Sequence, residues 1–300
     1  MAAQAGAPIF VFAAAWRTGS TLLQRILNAA PGILIWGENK ALREILQAYR
    51  IGHHNFSSRD RVAYQSLNTE LHLAWTANLS PEPERLEEAL RRLFSHLYAE
   101  PSMSRGRPRW GIKEIRPNAV EISRFLLELY PEARFVYLVR DPYDTLVSSL
   151  GMPFVQRMEK PEANVLKTWT DNTRSFLSPQ EMEGIPCRLV KYEDLIKQTR
   201  SHHPLLEDLM EFLNLPVVEA MFGALSAKLT GSGPDKRNEQ LTGKQCDLVT
   251  ETTRSLREHL GYPDRSIVSP TGVSEERSSA ESKRRVERRH SGVSLKKPLS

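Results

Sequence analysis

Residues 8 to 27 read PIFVFAAAWRTGSTLLQRIL, which divides into an apolar run, a short polar loop and an amphipathic segment. Ile9, Val11 and Phe12 are typical of a buried parallel strand. From Leu22 to Leu27 the apolar residues recur at helical spacing and form a core-facing stripe, so a helix begins directly after the loop. The order of strand, polar loop and helix predicts an α/β protein with a central parallel sheet flanked by helices.

The loop between this strand and this helix has the composition of a phosphate cradle. The first N–H groups of a helix lack intrahelical partners and carry the positive end of the helix dipole, so they favour an anion. Gly19 has no side chain to block close approach, and Arg17 adds a fork of charged donors. Beside Thr18, Ser20 and Thr21 add hydroxyl donors. On this motif alone, an ordinary solvated turn is the alternative.

A second anion site is predicted in residues 135 to 150, which read FVYLVRDPYDTLVSSL. The first five residues are again typical of a buried strand, and Arg140 follows at its carboxyl end. Asp141 and Pro142 are typical of the N-cap and the first position of a helix. Ser148 lies about two turns along that helix, close enough for its hydroxyl and the Arg140 guanidinium to bind one anion. Two such sites imply a ligand that is phosphorylated at both ends.

Together the two motifs resemble the cofactor motifs of the sulfotransferase family, which binds 3′-phosphoadenosine 5′-phosphosulfate (PAPS). In that family the first loop holds the 5′-phosphosulfate, and an Arg with a Ser eight positions later holds the 3′-phosphate, which matches Arg140 and Ser148. The loop W-R-T-G-S-T is more similar to that of carbohydrate and tyrosylprotein sulfotransferases than to the Lys-Ser-Gly-Thr-Thr loop of cytosolic steroid and phenol sulfotransferases. Arg17 then takes the cationic position.

The resemblance covers roughly residues 8 to 262, and it implies a fold, an activity and a cofactor. The implied fold is a P-loop-like three-layer α/β fold. The implied activity is transfer of the sulfuryl group of PAPS, as co-substrate, to a hydroxyl of a carbohydrate, small molecule or peptide. No metal is required for this activity in the family.

The resemblance extends to RLVKYEDLIKQ, residues 188 to 198, and to residues 230 to 262. In the family the Tyr of the first segment packs near the adenine, which implies that Tyr192 binds the cofactor. The alternative is that Tyr192 only fills an interface at the end of a strand. Cationic residues of the family's terminal loop can approach the cofactor, so Lys236 and Arg237 are candidates, with a solvated turn as the alternative.

Two residues are candidates for the catalytic step by the same resemblance. Tyrosylprotein sulfotransferases have a Gly-Glu shortly after the first helix with the Glu as general base, and Glu38 follows Trp36 and Gly37 at a comparable position. The alternative places Glu38 in the first turn of a helix, where it only complements the dipole. Lys113 ends a predicted strand where the family often has a Lys that steadies the transferred sulfate, although a lone Lys is usually solvated.

The remaining pattern is that of a scaffold. Strands are expected near residues 9 to 14, 109 to 113, 134 to 139 and 187 to 191, and helical core stripes over residues 84 to 99 and 120 to 129. Parallel strands connected by helices collect ligands at their carboxyl ends, where both anion sites lie.

The less periodic segments 49 to 80 and 151 to 183 are expected to form loops and short helices that close over the acceptor. His53 and His54 are open as catalytic residues, with a surface position as the more ordinary alternative. Trp75 and Trp169 are open as stacking platforms for a sugar or aromatic acceptor, with helical packing as the alternative.

Composition predicts one large domain, residues 1 to 262, followed by a tail. The 300 residues are 40% hydrophobic, enough for a sizeable core. From Tyr262 onward nine Lys and Arg face five Asp and Glu, so this part carries +4 of the total +5. The nearly neutral body predicts no nucleic-acid partner. The basic, Ser-rich tail, residues 263 to 300, almost lacks large apolar residues and is expected to be disordered, with its partner open.

Cysteine use and hydropathy bear on location. Cys187 and Cys246 form neither a disulfide framework nor metal-type spacing, so reduced thiols are expected. The N-terminal apolar run has no charged region before it and ends in the polar loop instead of a cleavage site, and no stretch approaches the length of a membrane span. The Golgi sulfotransferases with a similar loop are membrane-anchored. The chain departs from them and is expected to be cytoplasmic.

Two other functions compete with this interpretation. A P-loop kinase or NTPase shares the strand, loop and helix, but its motif requires Gly at position 14 and Lys at position 20, where this chain has Ala14 and Ser20. A non-catalytic nucleotide-binding protein of the same fold would need neither Glu38 nor Lys113. Their presence favours an enzyme.

Overall fold

The computed structural model describes residues 6–38, 41–57, 62–63, 70–115, 118–197, 203–226 and 241–265. The candidate cofactor residues Lys236 and Arg237 lie outside these ranges. All but the first three residues of the predicted tail, 263 to 300, also lie outside them.

The strands form a central sheet and one small separate pair. In chain order they are β1 (Gly6–Ala13), β2 (Ile33–Trp36), β3 (Val62–Ala63), β4 (Leu79–Ser80), β5 (Arg109–Glu114), β6 (Arg134–Val139) and β7 (Cys187–Lys191). The central sheet has the order β2-β5-β1-β6-β7, and all of its pairings are parallel. The pair β3 and β4 is also parallel. The four strands predicted from the sequence are therefore confirmed, with β2 as an additional edge strand.

Helices connect the strands. They are α1 (Ser20–Ala29), α2 (Ala41–Phe56), α3 (Pro83–Phe94), α4 (Glu100–Met103), α5 (Ala119–Leu129), α6 (Pro142–Leu150), α7 (Pro153–Gln156), α8 (Pro161–Leu177), α9 (Pro179–Met182), α10 (Tyr192–Ile196), α11 (Pro204–Leu213), α12 (Glu219–Ser226) and α13 (Gly243–His259). A π-helical turn, Ser95–Ala99, joins α3 to α4.

Both faces of the sheet are covered, which confirms the three-layer arrangement. On β1, Ile9 and Val11 pack with Leu23 of α1 and Leu209 of α11 in one buried cluster. Phe10 and Phe12 point to the opposite face, where the second cluster includes residues of α2, α5 and α8. When the side chains on both faces of a strand are buried, the strand is expected to be apolar throughout, as β1 is.

Gly111 allows the centre of the sheet to form. It lies on β5, opposite Ile9 of β1 and Ile35 of β2. A Cβ at this position would lie 1.9 Å from the carbonyl oxygen of Ile9 and 2.6 Å from Cδ1 of Ile35. No side chain fits there, so β5 can lie between its two neighbours only with glycine at this point.

The predicted helical stripe over residues 84 to 99 is only partly correct. Phe94 and Tyr98 are buried, but Leu93 and Leu97 are 39% and 46% exposed. The buried side chains follow an i, i+4 series that continues through the π-helical turn, where i→i+5 hydrogen bonding adds a residue per turn. That series leaves positions 93 and 97 beside the core face. The stripe over residues 120 to 129 is confirmed by the buried α5.

The prediction of loops and short helices over residues 151 to 183 is wrong for α8. This helix is 17 residues long, and it buries Val165, Leu166, Trp169, Asn172 and Phe176. Its polar residues break the apolar periodicity in the sequence. Asn172 and Trp169 of this helix donate hydrogen bonds to backbone carbonyl oxygens just after β1 and β6. These buried carbonyl groups require donors, so polar groups are found on the buried face of α8.

Candidate functional site

The carboxyl ends of all five central strands carry a residue or loop that the sequence analysis singled out. Across the sheet, in the order β2, β5, β1, β6 and β7, these are Glu38, Lys113, the loop 14–19, Arg140 and Tyr192. Adjacent strands lie about 4.8 Å apart, so five strands span about 19 Å. Residues separated by up to 178 positions in the chain are thus brought to one edge of the sheet.

The loop after β1 makes a tight turn into α1. Arg17 and Gly19 both have positive φ angles, 64° and 93°, and Gly19 is the N-cap of α1. The Thr18 hydroxyl donates to the carbonyl oxygen of Ala15 at 2.9 Å and is buried, so its side chain serves the turn. Thr21 is exposed at the first turn of α1, and Ser20 is buried. The helix therefore starts with its backbone N–H groups at the edge of the sheet.

Tyr192 lies against this loop. A Cβ at Gly19 would be 2.2 Å from Cδ2 of the Tyr192 ring. Tyr192 is the first residue of α10, directly after β7, and it is half-buried. The absence of a side chain at Gly19 thus lets the ring approach the cradle.

Arg140 joins the two predicted anion sites. Its Nη1 donates to the carbonyl oxygen of Arg17 at 2.8 Å, and its guanidinium lies 4.6 Å from the centroid of the Tyr192 ring. The Nε–H of Arg140 is buried, and it has no hydrogen-bond partner among the described residues. A buried charged donor without a partner is costly unless a ligand satisfies it.

Ser148 and Arg17 contact each other across the same region. The Nε of Arg17 donates to the Ser148 hydroxyl at 3.1 Å. The predicted capping of α6 is confirmed, because the Asp141 carboxylate accepts from the N–H of Tyr143 and Pro142 is the first helical residue. This cap fixes the start of the helix that carries Ser148.

Glu38 and Lys113 form an ion pair at the other end of the site. The Nζ of Lys113 lies 2.5 Å from Oε1 of Glu38, and their side chains are 5% and 32% exposed. Lys113 lies opposite Val11 in the sheet, directly beside the strand that leads into the cradle. Its neighbour Glu114 continues the strand, is fully buried and accepts from the N–H of Ile115. Because successive side chains of a strand alternate between its two faces, Lys113 and Glu114 point in opposite directions.

Helix α8 supports the loops that follow β1 and β6. Asn172 donates to the carbonyl oxygen of Ala14 at 3.0 Å, and the indole N–H of Trp169 donates to that of Arg140 at 2.9 Å. Sequence reasoning missed Asn172, because an isolated Asn in a helix gives no signal of its position. Trp169 is fully buried, so packing in the core is confirmed and a role as an exposed platform for an acceptor is excluded.

Glu193 braces the Arg140 loop from the side of β7. Its Oε1 accepts from the N–H of Asp141 at 2.9 Å, and its Oε2 accepts from the Tyr262 hydroxyl at 2.9 Å. Burial and the nearby Glu193 carboxylate raise the pKa of Tyr262 well above its usual range, so the phenol stays a donor. The Lys191 ammonium also donates to the carbonyl oxygen of Leu260. The Glu of the Tyr-Glu-Asp segment thus fixes the chain beside Arg140.

The other candidates lie apart from these contacts. His53 and His54 are in the last turn of α2, and the His53 ring packs against Tyr49. Trp75 is 73% exposed. Within the described ranges, no group of three or more His, Cys, Asp or Glu side chains could hold a metal ion. In the same part of the chain, no helix is both long and apolar enough to cross a bilayer.

The residues at this edge fit a ligand with two separated anionic groups. The start of α1 and Arg17 form one donor set. Arg140, which bonds to the Arg17 carbonyl oxygen, is a second donor beside it, and the Ser148 hydroxyl contacts Arg17. The Nε–H of Arg140, which has no partner among the described residues, is the feature that such a ligand would complete. Fold and site together define a parallel α/β protein whose strand ends carry donors suited to anionic groups.

Comparison with known proteins gives the family. A model described as the sulfotransferase family matches residues 8–219, more than two thirds of the chain. The chain belongs to the sulfotransferase family. The resemblance inferred from the two motifs is therefore confirmed.

Similar proteins agree with this assignment. The omega-hydroxy-beta-dihydromenaquinone-9 sulfotransferases Stf3 of Mycobacterium bovis and Mycobacterium tuberculosis are 28% identical over 159 residues, 49% of this chain and 40% of theirs. The match thus spans less than half the length of those relatives. A solved sulfotransferase domain from the curacin biosynthetic pathway covers 87% of this chain and 99% of its own, with a TM-score of 0.53 and 16% identity. This structure supports the fold.

Proposed function

We propose that the protein is a PAPS-dependent sulfotransferase, which moves a sulfuryl group to a hydroxyl of an organic acceptor. The order of groups along the edge of the sheet carries this proposal. An acid–base pair, Glu38 and Lys113, lies on one side of the phosphate cradle, and Arg140 and Tyr192 lie on the other. One ligand in the cradle can reach both sides.

The nucleotide half of the site is formed by β1, β6 and β7. The N–H groups at the start of α1, with Arg17, Gly19, Ser20 and Thr21, would hold the 5′-phosphosulfate. Thr18 would contribute through its backbone, since its hydroxyl donates to Ala15. The geometry of the loop supports an anion at this position, and the family resemblance implies that the anion is the 5′-phosphosulfate.

The 3′-phosphate would lie at the second donor set. Arg140 would bind it through its free Nε–H, together with the Ser148 hydroxyl. Tyr192, whose ring already packs on the Arg140 guanidinium, would lie beside the adenosine. Lys236 is proposed as a further cofactor contact on the family resemblance alone.

The transfer half of the site is formed by β2 and β5. PAPS supplies an activated sulfuryl group whose departure leaves negative charge on the 5′-phosphate. Arg17 and the helix terminus would stabilise that charge without reorganisation. Lys113, on the strand between Glu38 and the cradle, would contact the transferred group. Glu38 would accept the proton of the acceptor hydroxyl.

For the acceptor, we propose only a chemical class. The mycobacterial relatives are named for a hydroxylated menaquinone, and we extend to this chain only the use of a hydroxyl acceptor. Segments 49 to 80 and 151 to 183 are proposed to border the acceptor, apart from the buried α8. We also propose a cytoplasmic location, no nucleic-acid partner and no requirement for a metal.

Transfer of labelled sulfate tests the proposal. The full chain is incubated with ³⁵S-labelled PAPS and a panel of alcohols, phenols, sugars, hydroxylated lipids and tyrosyl peptides, with and without a metal chelator. Labelled product from at least one class, insensitive to chelation, is expected. Binding of the product nucleotide 3′-phosphoadenosine 5′-phosphate (PAP) without transfer to any class would favour the non-catalytic alternative. ATP hydrolysis that depends on Mg²⁺ would favour the kinase or NTPase.

A further inference from the structure

Strand β2, which leads to Glu38, lies at the edge of the sheet and has β5 on one side only. On the other side, the Asn28 side chain bonds to both backbone groups of Ile35. The Ile35 N–H donates to Oδ1 of Asn28 at 2.6 Å, and Nδ2 of Asn28 donates to the Ile35 carbonyl oxygen at 3.1 Å. Both backbone groups of a strand residue point to the same side. The Asn28 amide therefore replaces the missing strand neighbour.

A second side chain of α1 reinforces this contact. Gln24, one turn before Asn28, donates from Nε2 to the same Ile35 carbonyl oxygen at 2.9 Å. The Gln24 side-chain amide also lies beside Gly37, where a Cβ would be 3.9 Å from Nε2 of Gln24. Ile35 is three residues before Glu38. The strand end that carries the carboxylate is thus fixed to α1 by three hydrogen bonds.

Other contacts keep α1 and β2 in register. Nη1 of Arg107 donates to the carbonyl oxygens of Asn28, Ala30 and Ile33 at 3.0, 2.8 and 2.8 Å. The indole N–H of Trp36 donates to the Ser102 hydroxyl at 3.0 Å. Arg107 therefore fixes the turn between α1 and β2, and Ser102 fixes the end of β2. Between these two contacts, Asn28 and Gln24 join α1 to β2.

We propose that Asn28 and Gln24 are positioning residues for Glu38, which couple the phosphate cradle to the catalytic base. This inference rests on the proposed function, because it assumes that Glu38 is the base. The cradle loop leads into the first turn of α1, and Asn28 is in the last turn of the same ten-residue helix. One rigid helix of about 15 Å therefore sets the position of the bound nucleotide relative to the carboxylate.

Asn28→Ala tests the coupling. It removes both bonds to Ile35 and leaves the cradle sequence intact, so kcat for sulfate transfer is expected to fall about 10- to 100-fold. The dissociation constant of PAP is expected to change less than about twofold, since no cradle residue is altered. Asn164→Ala, the same substitution at an exposed position of α8, is the matched control and is expected to leave both quantities unchanged.

A double-mutant cycle separates positioning from a general structural role. In a Glu38→Gln background there is no carboxylate base to misplace, so Asn28→Ala is expected to lower kcat little further. An equal loss in both backgrounds would overturn the proposal, and so would a normal kcat for Asn28→Ala. If Asn28→Ala fails to fold, Gln24→Met keeps the side-chain length and removes one bond, and it is expected to give a smaller loss of the same kind.

Amide exchange at Ile35 gives a readout that does not depend on activity. The Ile35 N–H bonds to Asn28, so Asn28→Ala is expected to speed its exchange by about tenfold or more, with little change at Ile112 of β5. Unchanged exchange at Ile35 would contradict the proposed role of the Asn28 bonds to Ile35. The two proposals can fail separately. If the wild-type chain transfers no sulfate but Ile35 exchanges fast only in the variant, the proposed function is refuted, whereas the attachment of β2 to α1 through Asn28 is confirmed.

Discussion

Glu38 and Lys113 are the residues at which the proposed chemistry would occur. Glu38→Gln keeps the shape of the side chain and removes its capacity to take a proton. We expect kcat to fall about 10²- to 10⁴-fold, with PAP affinity nearly unchanged, because Glu38 lies two strands away from the loop after β1. Steady-state kinetics and calorimetry measure the two effects. Glu132→Gln, an exposed change just before β6 at the end of the sheet opposite the site, is the control. Normal turnover by Glu38→Gln would remove Glu38 from the base role.

Gly19 is the residue on which the shape of the cradle depends. Gly19→Ala would place a methyl group 2.2 Å from the Tyr192 ring, at a φ of 93° that disfavours alanine. We expect PAP affinity to fall at least about tenfold, because Tyr192 and the loop must move apart.

Gly184→Ala is the matched control for Gly19→Ala. Gly184 also has a positive φ, 75°, but a Cβ there would meet nothing within 4 Å. This control is expected to lose about 1 kcal/mol of stability from backbone strain alone and to bind PAP normally. Equal PAP affinity in the two variants would show that Tyr192 does not restrict the loop.

At the scale of elements, the contact between α10 and the segment after α13 supports the Arg140 loop. Tyr262→Phe would leave Oε2 of Glu193 without the hydroxyl that it accepts from. We expect the free energy of unfolding to fall by about 1–3 kcal/mol, because a carboxylate oxygen loses a charge-assisted bond. Urea unfolding measures this change.

Tyr137→Phe provides the comparison for that loss. The Tyr137 hydroxyl donates to the uncharged Ser123 hydroxyl, which itself donates to the Ala119 carbonyl oxygen. Its loss is expected to cost about 1 kcal/mol. A smaller effect of Tyr262→Phe than of Tyr137→Phe would mean that Glu193 is satisfied by other groups.

Some elements could be predicted from the sequence and others could not. The strands β1 and β6 are continuous apolar runs that end in charged loops, so their position and direction follow from pattern alone. Helix α8 was missed because its buried face includes Asn172 and Thr173, which read as polar surface. Edge strand β2 has only four residues, and its outer partner is the Asn28 side chain, which no strand pattern reveals.

For the whole molecule, buried tyrosines predict how stability depends on pH. Burial raises the pKa of Tyr137 and Tyr262 well above their usual range, and burial raises the pKa of Tyr130 to about 12. Above the ordinary value of 10.0, the unfolded chain loses phenolic protons that the folded chain keeps. The free energy of unfolding is therefore fully maintained below about pH 10 and falls above it, by up to about 1.4 kcal/mol per pH unit for each tyrosine.

Urea unfolding between about pH 8 and pH 11 measures this dependence. Tyr137→Phe has one such proton fewer, so its stability is expected to fall less steeply above about pH 10. A slope that is the same in the variant and the wild type would contradict the assignment of that proton to Tyr137.

For the candidate site, sequence reasoning predicted where residues lie but not which of them touch. Motif spacing placed Arg17, Arg140 and Ser148 in one region because strand ends of a parallel sheet meet at one edge. It could not show that Arg17 donates to Ser148, 131 positions away, or that Tyr192 packs against Gly19. Those contacts depend on the order of the strands in the sheet, which the sequence pattern leaves open.

Calorimetric titration of PAP and of adenosine 5′-phosphate, which lacks only the 3′-phosphate, tests the two-anion site most directly. We expect the wild-type chain to bind PAP at least about tenfold more tightly, because the 3′-phosphate would satisfy the buried Nε–H of Arg140. In Arg140→Ala the two nucleotides are expected to bind with nearly equal affinity. Equal affinity of the wild-type chain for both nucleotides would contradict the account.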